Sequence, residues 1–184
     1  MKKLIYRALV GVFVLMVTSS CYMYVVRYDG AYRGRVIDAD TGDPIEGVVV
    51  LGVWNLVLTG AAGAVHEYYD ARETVTDKNG EFSIPGMGLR ILSRLAPMGV
   101  WIFKAGYEYS GGSWPSLHLA YNSEVKWEGD RAIIPLKKLT MEERKRRYGP
   151  PGPPSEAQRA KKAQQYMEEI NKDRRERGLR ELRD

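Results

Sequence analysis

The 184-residue sequence predicts a mostly β protein, an antiparallel β-sandwich with a C-terminal helical tail. Three observations predict this class. Short runs of β-branched or alternating apolar residues recur between residues 33 and 107. Clusters of Asp, Asn, Gly and Pro separate these runs, as in sandwiches of short strands. Good helix formers dominate after residue 155, which indicates a helical end to the chain.

The first half of the sandwich is predicted from one turn and one apolar run. Residues 40–44 are all turn formers, and Gly42 accepts a positive φ while Pro44 blocks continuation of the strand. Residues 48–51 are continuously apolar, which is typical of a strand buried between two layers.

The second half is predicted from a hairpin signal. Phe82 and Ile84 alternate with polar residues, which is the period of a half-buried strand. Residues 77–80 are expected to join this strand to residues 73–76, with Asn79 and Gly80 in left-handed positions.

Three motifs give these elements a family resemblance. They are Gly34-Arg35-Val36-Ile37-Asp38 with Thr41-Gly42-Asp43-Pro44-Ile45, Thr76-Asp77-Lys78-Asn79-Gly80-Glu81-Phe82, and Ala105-Gly106-Tyr107 at the end of an apolar strand. Together they resemble the carboxypeptidase regulatory-like domain. The resemblance implies a transthyretin-like (prealbumin-like) sandwich over residues 30–139, an accessory module of envelope proteins, and it implies no catalytic activity.

The N-terminus is predicted to be a targeting segment. Residues 1–20 combine a basic start, an apolar run over residues 8–17 and the small residues before Cys21. The apolar run is shorter than the roughly 20 residues that span a bilayer. The segment resembles a bacterial lipoprotein signal, although Thr18 stands where leucine is usual. An ordinary cleaved signal and an uncleaved anchor remain alternatives.

The lipoprotein resemblance implies the location of the protein. Acylated Cys21 would hold the chain on a membrane of the bacterial cell envelope, facing the periplasm, with residues 21–29 as a membrane-proximal linker. Tyr22, in place of the aspartate associated with inner-membrane retention, favours the outer membrane. Because Cys21 is the only cysteine, no internal disulfide is expected, and the core must hold the sandwich together.

Residues 140–184 are predicted to be a basic helical tail. A capping box at Thr140 begins a short helix, residues 149–154 form a Pro-rich spacer, and a second capping box at Ser155 begins a longer helix that Gly178 ends. A thin apolar stripe of Ala160, Ala163, Met167 and Ile170 marks one face. Since this stripe buries little, residues 150–184 are expected to be separable from the sandwich.

Charge is concentrated in the same tail. Residues 136–184 hold 15 Lys/Arg and 9 Asp/Glu, in a chain of net charge +5. A solvated helix face is the favoured interpretation, and contact with acidic lipids or polymers is the alternative.

Two candidate metal sites are weak. His66 begins a His-Glu-x-x-Asp segment that lacks the second histidine of a zinc helix, and the only other histidine is His118. Asp38, Asp40 and Gly42 begin like a calcium loop but depart from it at the fifth position. We therefore expect no metal, no cofactor and no enzymatic activity, and no nucleic-acid motif is present.

An aromatic set is the candidate binding site. Tyr109, Trp114 and Trp127 flank a Gly- and Ser-rich insertion and are expected to be exposed. The sequence thus predicts a non-enzymatic, membrane-anchored lipoprotein whose sandwich is an interaction or structural module for an envelope protein. The alternative is a carbohydrate- or peptidoglycan-binding module that uses these aromatic rings.

Overall fold

A computed structural model describes residues 26–60, 63–91, 93–114, 116, 124–147 and 149–182. The predicted signal, Cys21 and His118 lie outside these residues. The described part contains ten strands and three helices. The strands are β1 Val26–Asp29, β2 Tyr32–Asp38, β3 Val49–Gly60, β4 Gly63–Val75, β5 Glu81–Ile84, β6 Gly88–Ile91, β7 Gly99–Phe103, β8 Ser110–Ser113, β9 Lys126–Glu128 and β10 Arg131–Leu136. The helices are α1 Met141–Arg146, α2 Ser155–Arg159 and α3 Gln164–Glu176.

The chain divides into two compact units. The described part of the first consists of residues 26–30, 85–91 and 93–94, and its core element is the antiparallel pair β1–β6. The second contains residues 31–84 and 95 onward, including the tail. Residues 26–29, which lie in the expected linker, form a strand, and residues 85–94, which lie within the expected sandwich range, belong to the first unit.

The second unit confirms a mostly β, sandwich-like fold. One sheet has the strand order β5-β2-β10-β9 and the other β4-β3-β7-β8. The sheets face each other, since the ring of Tyr32 on β2 meets that of Trp54 on β3 at 5.9 Å. All pairings are antiparallel except β2–β10, which is parallel, so the sandwich is mixed rather than purely antiparallel.

Strand β3 is buried on both faces. Val50 and Trp54 are fully buried, and a side chain built at Gly52 between them would contact Met98 and Ile84 of the inter-sheet core. The alternate residues Val49, Leu51 and Val53 point to the opposite face. This arrangement explains the continuous apolar run at residues 48–51, because each face of the strand packs against a separate layer.

The second layer on β3 is the tail. One hydrophobic cluster joins the sheet to α2 and α3; its members are Val49, Leu51, Val53, Ala71, Phe103, Ala157, Ala163, Tyr166, Met167 and Ile170. Tyr166 is completely buried, and its ring meets Phe103 at 6.5 Å. The expectation that residues 150–184 are separable rested on a stripe that buries little, whereas these helices cover the outer face of a sheet.

The predicted continuous second helix is interrupted. Helix α2 ends in a Schellman motif: the Lys162 N–H donates to the Ala157 carbonyl, and Lys161 takes a φ of 54°. Because the helix is broken here, Ala160, which was expected in the buried stripe, is exposed to solvent. Tyr166 lies in the core in its place.

The start of α3 is capped from the sandwich. The Glu73 carboxylate on β4 accepts the backbone N–H groups of Gln165 and Tyr166 at 3.0 and 3.2 Å. The predicted Ser155 capping box is wrong, since no side chain caps α2. The Thr140 capping box is confirmed, with both reciprocal bonds to Glu143 present.

The predicted turns have the expected local chemistry, but one connects different elements. Asp38 Oδ1 accepts the N–H groups of Asp40 and Thr41, which assigns this carboxylate to a turn. Residues 77–80 form a tight turn with Gly80 at a φ of 71°, whereas Asn79, also predicted to be left-handed, does not have a positive φ. This turn joins β4 in one sheet to β5 in the other, so the predicted hairpin is instead a crossing between sheets.

Candidate ligand-binding cavity

The predicted aromatic set does not share one exposed surface. Trp114 is only 7% exposed and packs edge-on against Tyr32 at 5.5 Å and Phe82 at 6.1 Å. Trp127 is 36% exposed, and its ring is nearly perpendicular to that of Trp114. Tyr109 is half-buried, and burial raises the pKa of its hydroxyl to about 12. The expected joint exposure is corrected: Trp114 belongs to the core, and the rings form no flat platform.

The candidate zinc ligands on β4 lie in different surroundings. His66 is exposed and pairs across the ladder with Val57. Asp70 is largely buried and forms an ion pair with Lys162 just before α3. Among the described residues, no group of three His, Cys, Asp or Glu side chains is close enough to hold a metal ion.

A cavity of about 620 Å³ lies beside the tail. Its volume falls in the usual range of small-molecule sites. Its polar wall is rich in arginine and is called the arginine wall. It comprises Arg144, Arg146, Arg147, Arg177, Glu108 and Asp173. Phe103, Leu139 and Pro150, with Tyr107 and Tyr109, supply apolar and aromatic surface. Tyr109 is thus the predicted site residue that reaches this cavity.

Buried ion pairs hold the arginine wall in place. Asp173 on α3 accepts from Arg144 Nε at 3.0 Å and from Arg177 Nη1 at 3.2 Å. Arg144 on α1 also donates to Glu176 at 2.7 Å. Because Arg144 and Asp173 are both more than nine-tenths buried, this network fixes α1 against α3.

Two guanidinium groups retain unused donors. Arg177 Nε is buried and has no hydrogen-bond partner within the described part of the chain. Arg146 is exposed at the cavity edge and has no ion pair among the described residues. The four arginines face three carboxylates, those of Glu108, Asp173 and Glu176, so positive charge is in excess. A cavity of this composition is suited to an oxyanion such as a carboxylate or phosphate.

Sequence reasoning missed this site. It assigned the basic residues of the tail to a solvated helix face, whereas Arg144 is buried and the Arg177 side chain is only 10% exposed. The arginines of α1 lie close together in sequence, but Tyr109 and Asp173 come from distant segments. Nothing local in the sequence indicates that these segments meet.

The fold defines the protein as a mostly β, sandwich-type protein. No family model matches the chain, and no curated protein matches it either. Among solved structures it is similar to a streptococcal ancillary pilin, with 9% identity and a TM-score of 0.32 over 61% of this chain and 30% of that one. It is also similar to the pilus adhesin RrgA from Streptococcus pneumoniae, with 11% identity and a TM-score of 0.34 over 60% of this chain. That match covers 15% of the adhesin, so the chain spans less than a third of either neighbour.

No helix in the described part of the chain is long and apolar enough to cross a membrane.

Proposed function

We propose that the protein is a non-enzymatic lipoprotein of the bacterial cell envelope whose sandwich serves as an interaction module. The observation that carries the proposal is the position of Cys21 between a signal-like segment and the first strand, which begins at Val26. A lipid on Cys21 would hold the folded part directly at the membrane surface. The resemblance to carboxypeptidase regulatory-like domains supports an accessory role beside this anchor.

The geometry favours an interaction module over a sugar-binding platform. Sugar-binding platforms present coplanar aromatic faces, whereas Trp114 is buried and Trp127 stands perpendicular to it. The arginine-lined cavity offers the better-formed site. We propose that it receives an acidic group, a carboxylate or phosphate, presented by the partner.

Replacing Cys21 by Ala is expected to release the protein from membranes or to block its maturation. A single acyl chain gives marginal binding, so stable attachment requires the several chains of a lipoprotein cysteine. Fractionation of cells, combined with the intact mass of the wild-type N-terminus, measures this result. An unmodified Cys21 thiol in protein extracted from membranes would contradict the anchor.

Replacing Arg146 by Gln is expected to weaken oxyanion binding with little change in stability, because Arg146 has no ion pair among the described residues. Inorganic phosphate should raise the melting temperature of the wild-type protein above that in chloride at equal ionic strength. A ligand at 100 times its Kd stabilises by about 2.7 kcal/mol. Circular dichroism of the purified full chain measures the shift.

The neighbouring Lys145 provides a matched control. It is exposed on the same helix and does not line the cavity, so Lys145→Gln should keep the full phosphate effect. Equal phosphate shifts in the two variants, or no shift in the wild type, would show that the cavity does not bind oxyanions.

A further inference from the structure

The small first unit exposes a continuous apolar face. In the β1–β6 pair, Val26 lies opposite Ile91 and Tyr28 lies opposite Leu89. Residues two apart on a strand point to the same side, so all four side chains share one face of the ribbon. Their exposures are 43% for Val26, 75% for Tyr28, 64% for Leu89 and 65% for Ile91.

The opposite face of this ribbon is polar and already engaged. Arg27 lies opposite Arg90, and Asp29 is buried. The Asp29 carboxylate accepts the Met87 N–H at 2.8 Å and lies 3.9 Å from Arg27. The ribbon is therefore two-sided, with its polar side bonded within the unit and its apolar side open.

An exposed apolar face on a two-stranded ribbon is expected to contact a partner. An isolated pair of strands is only marginally stable in water. Contiguous exposed apolar residues mark contacts with proteins or membranes, unlike the single apolar residues scattered over most surfaces. A bilayer interface suits this face, because it accepts aliphatic side chains and favours tyrosine with its amphipathic ring.

The length of the chain before β1 and the charge of this unit favour the bilayer as the occupant. Residues 21–26 span at most about 18 Å when fully extended, so a lipid on Cys21 keeps Val26 beside the headgroups. The described residues of this unit carry Arg27, Arg90 and Arg94 against Asp29, a net positive charge that matches acidic lipids.

We propose that the face formed by Val26, Tyr28, Leu89 and Ile91 lies against the membrane interface and acts as a second contact beside the lipid anchor. The inference rests on the proposed lipidation of Cys21. The ribbon thereby fixes how the anchored unit meets the bilayer, which a flexible lipid tether alone does not do.

The test uses the fact that Cys21 is the only cysteine. In the lipidated protein this thiol is blocked, so Leu89→Cys introduces a unique site for a nitroxide label. The full mature protein is reconstituted in vesicles of phosphatidylethanolamine and phosphatidylglycerol. Spin relaxation by oxygen, which enters the bilayer, is then compared with relaxation by a water-soluble nickel chelate.

Lys78→Cys provides the control, because Lys78 is an exposed turn residue of the other unit. The ratio of oxygen to nickel accessibility is expected to be severalfold higher at Leu89 than at Lys78, and Ile91→Cys should agree with Leu89. If the wild-type protein takes up no label, so that Cys21 is blocked, and the oxygen-to-nickel accessibility ratios are equally low at all three positions, the membrane contact is overturned. Labelling of wild-type Cys21 would instead show that the lipid anchor is absent, which overturns the proposed function and the premise of this contact.

Discussion

Truncation after Gly149 is expected to abolish cooperative folding of the sandwich. The truncation removes α2 and α3 and opens the outer face of the β4-β3-β7-β8 sheet to water. Burial of a large apolar side chain contributes about 1.5–3 kcal/mol, and three such side chains, Tyr166, Met167 and Ile170, would be lost. Total stabilities are only about 5–15 kcal/mol. Thermal unfolding by circular dichroism, with size-exclusion chromatography for aggregation, measures the result.

A shorter truncation after Gly178 is the matched control. It removes two arginines and two acidic residues but keeps every tail residue of the cluster, so it should leave a cooperative transition. A melting temperature unchanged by the longer truncation would show that the tail is dispensable, contrary to the packing described above.

Point variants at Tyr166 separate packing from chain length. Tyr166→Ala is expected to cost about 3–5 kcal/mol, as other buried aromatic-to-alanine changes do. Tyr166→Phe keeps the ring against Phe103 and loses only the hydroxyl bond to the Pro151 carbonyl, a loss of about 1 kcal/mol. Urea titration of both variants measures the difference.

Replacing Asp173 by Ala is expected to destabilise the protein by about 3–5 kcal/mol. The change leaves Arg144 and Arg177, both at least nine-tenths buried, without the carboxylate that they share. Removing one partner of a buried pair is costly because the remaining charge stays desolvated. The free energy of unfolding in urea measures the loss.

Glu176 gives the corresponding control on the same helix. It also binds Arg144, but its side chain is 41% exposed, so water screens the pair. Glu176→Ala should therefore cost far less than Asp173→Ala. Similar losses for the two variants would mean that burial does not set the strength of this network.

Local chemistry determined the features that the sequence predicted correctly. The Asp38 turn, the positive φ of Gly80 and the Thr140 capping box each involve partners within a few residues. The alternation of Phe82 and Ile84 with polar residues likewise predicts burial on one face of the strand, and both side chains are buried. Such signals predict a mostly β fold because strands and turns are specified over short windows.

Only the tertiary structure decided how these pieces combine. The cap of α3 comes from Glu73, some 92 residues before Gln165, and Trp114 is buried because Tyr32 and Phe82 approach it from other strands. The arginine wall exists because α1 and α3 meet through Asp173. The sequence by itself thus determined the mostly β fold class, the turns at Asp38 and Gly80 and the helix cap at Thr140. Contacts between distant segments decided the docked tail, the core position of Trp114 and the cavity, because their partners have no periodicity or spacing that a local pattern can reveal.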